Sequence, residues 1–410
     1  MSMDRAQCLL MDQADPLAFV RERFRLPSGE IYLDGNSLGC LPKAVSARLT
    51  NAIEHEWGRG LIRSWNEAGW YRAPQRVGAK IARLIGVPAE DVIVSDSTSV
   101  NLFKVLTAAL RLSKGRNKIL GLVADFPTDT YIAQGVASWA GAELVRVRPD
   151  NLASAIDEGV SIVSLTHVNY RTGYRYDMAS LTRAAHAKGA MIVWDLSHSA
   201  GAMDLQVAAC DADFAVGCGY KYLNGGPGAP SYTYVAQRHQ GGFEQPLQGW
   251  LGHTAPFDFA DDYVAAPGIN RVLSGTPPVL SLVALEAALT VFDDIDMTLV
   301  RAKSGQLSEL FMLVADEVLS PFEFKIESPR NPSDRGAQVS LSHKHGYAVC
   351  QALIHHGVIG DFRAPDIVRF GLAPLTTRFV DVFDAVMVLR SVMEQRLWDR
   401  PEFQRRKAVT

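Results

Sequence analysis

The chain has 410 residues, and its 41 lysines and arginines against 44 aspartates and glutamates leave a formal net charge of -3. Apolar residues make up 48% and charged residues 21%, which is the composition of an ordinary folded protein. This balance excludes intrinsic disorder, which needs low hydrophobicity and high charge. It also argues against a nucleic-acid partner, because no basic surface for phosphate backbones stands out.

The cysteines and the N-terminus bear on the compartment. The five cysteines are scattered, and none stands in a spacing typical of a zinc site: Cys8, Cys40, Cys210, Cys218 and Cys350. This pattern predicts reduced thiols, a cytoplasmic protein and no metal. The N-terminus has no signal-peptide pattern, and no run of about 20 apolar residues could span a membrane, so we expect no membrane association.

Short apolar runs alternate with amphipathic segments through the first two-thirds of the chain. The predicted strands cover 92–95, 118–124, 161–166, 190–194 and 214–217, and the predicted helices cover 102–110, 128–140 and 181–188. Strands that alternate with helices indicate an α/β fold with a mostly parallel sheet covered on both faces.

The pattern changes after about residue 277. Helices are predicted at 278–293, then on to 314, and at 347–356 and 380–396, with strands at 322–327, 337–342 and 366–371. This arrangement indicates a smaller α+β unit. We therefore expect a large domain at 45–285, a small C-terminal domain at 286–410, and an N-terminal segment, 1–44, that packs on the small domain.

Polar side chains follow the predicted strands at the sheet edge where open α/β folds bind ligands. Thr98 and Ser99 open a helix after the first strand, where hydroxyls and free N–H groups suit a phosphate, although such residues also serve as simple N-caps. Phe126 follows the second strand and could stack on a planar ring or pack in the core.

Two further strands end in chemically useful groups. Asp195 could pair with a protonated ring nitrogen, supported by His198, or could act only as a helix cap. Lys221 lies between an apolar strand and a glycine-rich turn, and a lysine in a partly dry site is a competent nucleophile and base. A solvated lysine is the alternative. A phosphate cradle, a stacking ring, an aspartate and a lysine together are what pyridoxal 5′-phosphate requires.

The motifs in this order resemble the fold-type-I pyridoxal-phosphate enzymes and, among them, the kynureninase family. The matching stretches span nearly the whole chain: YLDGNSLG (32–39), STSVNL (97–102), FPTD (126–129), WDLSHSAG (194–201), GYKYLNGGPG (219–228), GWLGH (249–253), SGTPP (274–278) and RFGLAPL (369–375). The resemblance implies a seven-stranded large domain and a smaller α+β domain.

The resemblance also implies a role for each matching residue. In the cofactor site, Lys221 binds the aldehyde, Asp195 pairs with the pyridine nitrogen beside His198, and Phe126 stacks on the ring near Asp129. Thr166 is a further cofactor contact. The phosphate is held by Thr98, Ser99, Tyr220, Trp250 and Thr276, of which Trp250 and Thr276 reach across a dimer interface. For the substrate, Arg369 binds the α-carboxylate as a fork, and Ser37 lines the pocket with Trp65.

The implied reaction is hydrolysis of the Cβ–Cγ bond of L-kynurenine to anthranilate and L-alanine, as part of tryptophan degradation. Lys221, Tyr220 and Asp195 would be its catalytic residues, in a homodimer with active sites at the interface. Threonine at 276 favours unsubstituted L-kynurenine, with 3-hydroxykynurenine as an alternative substrate.

Other functions are compatible with parts of this pattern. The nearest alternative is another fold-type-I enzyme, a cysteine desulfurase or an aminotransferase. A desulfurase needs an exposed reactive cysteine, whereas Cys350 lies in a predicted buried helix. A nucleotide-binding oxidoreductase would need a G-x-G-x-x-G turn that the run NGGPGAP lacks. A catalytically silent protein would not need Lys221, Asp195 and Arg369 together.

Overall fold

A computed structural model describes residues 3–113 and 115–406. Its strands are β1 Phe24–Arg25, β2 Ile31–Tyr32, β3 Leu41–Pro42, β4 Val92–Ser95, β5 Lys118–Leu122, β6 Glu143–Val147, β7 Val160–Thr166, β8 Met191–Asp195, β9 Phe214–Gly217, β10 Ser231–Val235, β11 Lys325–Ile326, β12 Gln338–Ser342, β13 Val358–Ile359, β14 Asp361–Arg363 and β15 Ile367–Gly371. Its α-helices are α1 Arg5–Ala14, α2 Lys43–Asn51, α3 Ser64–Glu67, α4 Ala73–Ile85, α5 Thr98–Leu112, α6 Pro127–Ala140, α7 Leu152–Ala155, α8 Met178–Ala187, α9 Gln237–Gln240, α10 Val279–Ala288, α11 Met297–Leu319, α12 Gly346–His355, α13 Phe379–Glu394 and α14 Pro401–Gln404.

The larger sheet has seven strands in the order β4-β10-β9-β8-β7-β5-β6. Strand β10 runs antiparallel to both of its neighbours, and the remaining pairs are parallel. Separate hydrophobic clusters pack on the two faces of the sheet, one with α4 and α8 and the other with α5 and α6. The predicted α/β class with a mostly parallel sheet is therefore confirmed.

Two of the seven strands were not predicted from the sequence. Strand β6 lies at the sheet edge, where exposed Glu143 and Arg146 interrupt its apolar run. Strand β10 follows β9 through the glycine-rich turn with no helix between them, so it breaks the strand–helix alternation that the prediction used. The helix predicted at 278–293 is also shorter, since α10 ends at Ala288 and a 3₁₀ turn, Leu289–Phe292, follows.

A second sheet of four antiparallel strands, β11-β12-β15-β14, packs with α11, α12 and α13 around its own hydrophobic cluster. The N-terminal helix α1 lies against α13, where Arg5 and Asp384 form an ion pair of 2.8 Å, and β2 pairs with β13. Leu17, Val20 and Phe24 instead join the core beside the larger sheet. The boundaries 45–285 and 286–410 remain a proposal about domains.

The segment YLDGNSLG connects the N-terminal region to the turn after β9. The N–H of Gly39 donates to the carbonyl of Tyr220 at 2.8 Å. A Cβ at Gly39 would stand 2.2 Å from the carbonyl oxygen of Lys221, so only glycine permits this approach. The contact holds the residues around Lys221 against the N-terminal segment.

Residues 3–113 and 115–406 contain neither a membrane-spanning helix nor a cluster of metal-ligating side chains. No helix there is long and apolar enough to cross a membrane. No group of three or more His, Cys, Asp or Glu side chains in that part of the chain is arranged to hold a metal ion.

Candidate active site

A cavity of about 450 Å³ opens at the carboxyl ends of the parallel strands of the larger sheet. Its wall contains nine of the residues predicted for the site: Thr98, Ser99, Phe126, Asp129, Thr166, Asp195, His198, Tyr220 and Lys221. These residues come from the segments that follow five different strands. The fold therefore brings together side chains that are as much as 123 positions apart, between Thr98 and Lys221.

One end of the cavity is the N-terminus of α5. Ser97 is the N-cap, and its Oγ accepts from the N–H of Val100 at 3.4 Å. The Oγ1 of Thr98 is buried and has no hydrogen-bond partner. Buried hydroxyls are normally satisfied, and a helix N-terminus attracts anions, so an unpaired Thr98 here fits a phosphate group. Ser97, which the sequence could not separate from its neighbours, takes the capping role.

Lys221 and His198 form the centre of the site. Lys221 is 8% exposed, and its Nζ lies 2.9 Å from the Nε2 of His198 and 5.6 Å from the centroid of the Phe126 ring. Burial, and next the charge of Lys221, lower the pKa of His198 well below its ordinary value. A neutral His198 imidazole can accept from the Lys221 ammonium and hold it in the cavity.

Two carboxyl groups, those of Asp195 and Asp129, line the cavity with this pair. Oδ1 of Asp195 accepts from the N–H of Ser197 at 2.7 Å. Burial, and next the charge of Asp195, raise the pKa of Asp129 well above its ordinary value. The raised pKa favours the neutral form of Asp129, which leaves Asp195 as the candidate partner of a protonated ring nitrogen.

Thr166 lines the cavity, but its polar groups are already paired. Its N–H donates to Oδ2 of Asp125 at 3.1 Å, and its hydroxyl donates to Oδ1 of the same carboxylate. Burial raises the pKa of Asp125. The hydroxyl of Thr166 would have to leave Asp125 before it could reach a ligand.

Arg369 and Ser37 lie beside the cavity and do not line it. Arg369 is 1% exposed, and its Nε donates to Oδ1 of Asp361 at 2.8 Å while its Nη2 contacts the second carboxylate oxygen. Its Nη1 donates to the carbonyl of Tyr170, a residue of the cavity wall, at 2.7 Å. Its Nη2 also contacts Ser37 Oγ at 3.0 Å.

Arg363 and Asp361 are polar residues of this region that were not predicted. Nη2 of Arg363 lies 2.6 Å from Oδ2 of Asp361, so two guanidinium groups share one carboxylate. Asp361 stands directly opposite Arg369 in the β14–β15 pair. Charged and apolar residues alternate in the segments DFR and IVRFG. This pattern could have indicated the pairing of Asp361 with Arg369, because opposite charges favour facing positions on adjacent strands.

The other three predicted residues lie outside the cavity of the single chain. Trp65 contacts Trp250 edge to face, with ring centroids 6.5 Å apart, and Thr276 is exposed. From Trp250 a chain of ring contacts continues through Phe257 to Phe259. Trp250 and Thr276 are thus not brought to the Lys221 cavity of their own chain.

Comparisons with known proteins agree with one another. A family model described as the kynureninase C-terminal domain matches residues 300–389. A protein named kynureninase from Burkholderia mallei strain SAVP1 is 48% identical over 99% of both chains, and one from Burkholderia pseudomallei strain 1106a shows the same identity and coverage. A kynureninase from Pseudomonas fluorescens is 46% identical, again over 99% of both chains.

Solved structures show the same fold at low sequence identity. A cysteine desulfurase from Thermococcus onnurineus NA1 has a TM-score of 0.76 at 22% identity and covers 92% of this chain and 97% of its own. A C-DES variant with glycine covalently linked to its pyridoxal-phosphate cofactor has a TM-score of 0.79 at 16% identity, covering 90% and 98%. At this level of identity the two likenesses show a shared fold.

Proposed function

The chain belongs to the kynureninase family, and we propose that it hydrolyses the Cβ–Cγ bond of L-kynurenine to give anthranilate and L-alanine. Its cofactor is pyridoxal 5′-phosphate, and its substrate is a small molecule. The observation that carries the proposal is the cavity in which Lys221, Asp195, Phe126 and Thr98 meet.

The residues of the cavity divide the work of binding between them. The phosphate would be held by Thr98, Ser99 and the N–H groups at the start of α5. Phe126 would stack on the face of the ring, and Asp195 would keep a proton on the ring nitrogen. When bound, the cofactor supplies an electron sink for negative charge that develops at the substrate α-carbon. Asp195 keeps that sink strong because its carboxylate stabilises the protonated nitrogen.

Lys221 and Tyr220 are the proposed proton-transfer groups. The Nζ of Lys221 would bind the cofactor covalently, give way to the substrate amine and then accept the α-proton, while His198 Nε2 holds it in place. Water would add to the γ-carbonyl, and the Cβ–Cγ bond would break. The phenol of Tyr220 would donate a proton to Cβ as that bond breaks and regain one from the hydrated carbonyl, which leaves as the carboxylate of anthranilate. Burial raises the pKa of Tyr220, so the phenol is protonated and able to donate.

Arg369 and Ser37 are proposed to bind the substrate α-carboxylate. Two arginines against the single carboxylate of Asp361 leave positive charge for a substrate carboxylate beside the cavity. Trp65 is proposed as a further wall of the substrate pocket. Threonine at 276 supports unsubstituted L-kynurenine as the preferred substrate over the 3-hydroxy form.

We further propose a homodimer in which Trp250 and Thr276 of each chain complete the phosphate site of the other. Exposed apolar side chains in residues 53–62 and 257–264 support it. We call them together the aromatic face: Ile53, Trp57, Leu61, Ile62, Phe257, Phe259 and Val264. Ring contacts connect this face to Trp250 through Phe257. Exposed apolar patches of this kind mark protein interfaces.

The cysteines support two other points. All five are unpaired, which favours the cytoplasm as the compartment. Cys350 is fully buried in α12, and burial raises the pKa of its thiol. A buried protonated thiol cannot act as a desulfurase nucleophile, so the low-identity likeness to cysteine desulfurases extends to the fold alone.

Steady-state kinetics with L-kynurenine and 3-hydroxykynurenine, followed by the fluorescence of anthranilate, would test the proposal. We expect turnover of L-kynurenine by a yellow protein, with the lower kcat/KM for the 3-hydroxy substrate. A colourless protein that ignores added cofactor, or a yellow protein that transfers the amino group to a keto acid, would overturn it.

A further inference from the structure

Lys104 is a buried cation next to the cavity for which the proposed reaction has no use. It lies on α5, its side chain is 0% exposed, and its Nζ lies 2.7 Å from Oδ2 of Asp96. The same Nζ donates to the carbonyl of Val272, also at 2.7 Å. One ammonium group therefore joins two segments that are far apart in sequence.

The first of these segments is the phosphate end of the cavity. Asp96 directly follows β4, lines the cavity with Thr98 and Ser99, and has a φ of 47°. A left-handed conformation is uncommon outside glycine, so neighbouring contacts must hold it. An unpaired Asp96 carboxylate would also repel a phosphate dianion, and the charge of Lys104 cancels it.

The second segment leads from Val272 to Thr276. The carbonyl of Ser274 accepts from the N–H of Leu251 at 3.1 Å, and the hydroxyl of Ser274 donates to the carbonyl of Leu247. The segment is thereby fixed to the turn that carries Trp250. Lys104 thus anchors the loop pair that bears Trp250 and Thr276.

We propose that Lys104 is a positioning residue for cofactor phosphate binding, which it serves in two ways. It neutralises and orients Asp96 at the phosphate end of the cavity in its own chain. It also anchors the segment from Val272 to Thr276, which would reach the phosphate bound by the partner. The inference rests on the proposed function, since it assigns the cradle to pyridoxal 5′-phosphate.

The test measures the affinity of purified protein, stripped of cofactor, for pyridoxal 5′-phosphate by absorbance titration. We expect Lys104→Met to raise the Kd about tenfold or more, because it leaves a carboxylate unpaired beside the phosphate. Lys104→Met combined with Asp96→Asn should bind the cofactor more tightly than Lys104→Met alone, because no bare charge remains. The phosphorus-31 resonance of the bound phosphate should shift in Lys104→Met.

Lys303 provides a matched control. It is another buried lysine, lies on α11 and is 5% exposed. Its Nζ is 2.6 Å from Oδ2 of Asp15. Lys303→Met should lower the Tm of cofactor-free and cofactor-bound protein equally, whereas Lys104→Met should also reduce the rise in Tm that the cofactor produces. Should Lys104→Met not fold, Lys104→Gln removes the charge while keeping a donor for Val272.

Two results would overturn the inference. One is an unchanged Kd in the Lys104 variants together with equal losses of Tm in the two forms, which is the behaviour of a merely structural lysine. The other is a double variant that binds no better than Lys104→Met. Failure of the wild-type protein to bind the cofactor would instead reject the proposed function.

Discussion

Individual residues in the cavity owe their chemistry to their neighbours. Lys221 is flanked by a neutral imidazole and an aromatic ring, and Asp129 is kept protonated by burial and by Asp195. On the surface, the His198 imidazole and the Asp129 carboxyl would be solvated and would keep their ordinary pKa values. Burial at the ends of strands lowers the pKa of His198 and raises that of Asp129, as is common at functional sites.

The first prediction concerns Lys221. Lys221→Ala should shift the absorbance of the protein-bound cofactor and abolish activity, because no other amine on the cavity wall can bind the aldehyde. The absorbance spectrum after gel filtration measures this. Lys344→Ala, at a lysine exposed on the surface, should keep both the colour and the activity.

The second prediction concerns carboxylate recognition. Arg369→Ala should raise the KM for L-kynurenine by about tenfold to a hundredfold, because charge-assisted hydrogen bonds contribute about 1.5–3 kcal/mol. Steady-state kinetics would measure it, with Tm recorded because Asp361 loses one of its two arginine partners. Arg369→Lys should restore little, since a lysine cannot form the bidentate contact. An unchanged KM in Arg369→Ala would refute the assignment.

The third prediction is a pH dependence of KM through Asp34. Burial, and next the charge of Asp361, raise the pKa of Asp34 to about 7. Asn36 connects Asp34 to Arg369 when its amide is oriented to satisfy both neighbours. Its amide nitrogen donates to Asp34 Oδ1 at 3.2 Å, and its amide oxygen accepts from Arg369 Nε at 2.9 Å. Below about pH 7 a neutral Asp34 leaves the arginines an excess positive charge, and above it the added negative charge cancels that excess.

KM for L-kynurenine should therefore rise as the pH passes upward through about 7. Asp34→Asn keeps a hydrogen-bonding group of the same size without the titration, so its KM should stay flat over that range. The measurement is a set of KM values from pH 6 to pH 8 for both proteins. An identical rise in Asp34→Asn would assign the effect to another group.

At the scale of elements, one buried carboxylate joins several segments at the end of the sheet opposite the cavity. Oδ2 of Asp213 accepts from the N–H of Ile192 at 2.8 Å and contacts His186 Nε2 at 2.8 Å. Oδ1 contacts Arg238 and His239, each at 2.7 Å. Asp213 thus ties α8, β8 and α9 to the start of β9.

The fourth prediction is that Asp213→Asn destabilises the protein by about 3 kcal/mol at neutral pH, because it breaks a buried charged network. Burial opposes ionisation of Asp213, but hydrogen bonds from His239, His186 and Ile192 outweigh it and lower its pKa to about 2. Because its pKa is lower in the folded protein, the ionised Asp213 stabilises the fold fully above about pH 4. This stabilisation is lost as the pH falls through about 2.

Urea unfolding at a fixed protein concentration would measure the effect. The gap in free energy of unfolding between the wild-type protein and Asp213→Asn should narrow as the pH falls below about 4. Asp211→Asn, at an aspartate whose side chain is 67% exposed, is the control and should cost little. A gap that widens below pH 4 would contradict the assignment.

Elements with a clear period were predictable, and edge or returning strands were not. The alternation of apolar and amphipathic segments predicted β4 and β9 at their observed limits, because a strand buried on both faces is a continuous apolar run. Strand β6 is half exposed at the edge, and β10 returns without a helix. Neither strand therefore shows a clear hydrophobic pattern in the sequence.

At the scale of the whole molecule, the aromatic face predicts association. The fifth prediction is that Phe259→Asp combined with Ile62→Asp weakens the proposed dimer, because both side chains are among the most exposed apolar groups, at 78% and 77%. Sedimentation velocity would show a shift towards monomer. Cofactor affinity should fall with it, since Trp250 and Thr276 would no longer reach the partner.

Leu313→Asp is the matched control for the dimer. This leucine is 49% exposed on α11, in the part of the chain that packs on the smaller sheet. It should leave the oligomeric state and the cofactor affinity unchanged. A double variant of the aromatic face that stays dimeric would place the interface elsewhere.

The sequence by itself determined the fold class, the family and most of the cavity wall. Motifs such as Lys221 before a glycine-rich turn are local, and the carboxyl ends of parallel strands must meet at one sheet edge. Only the tertiary structure decided which hydroxyl caps α5, which partner holds Lys221, and how Arg363, Asp361 and Lys104 surround the site. These contacts join residues from different elements, and no local pattern specifies burial or pairing across such distances.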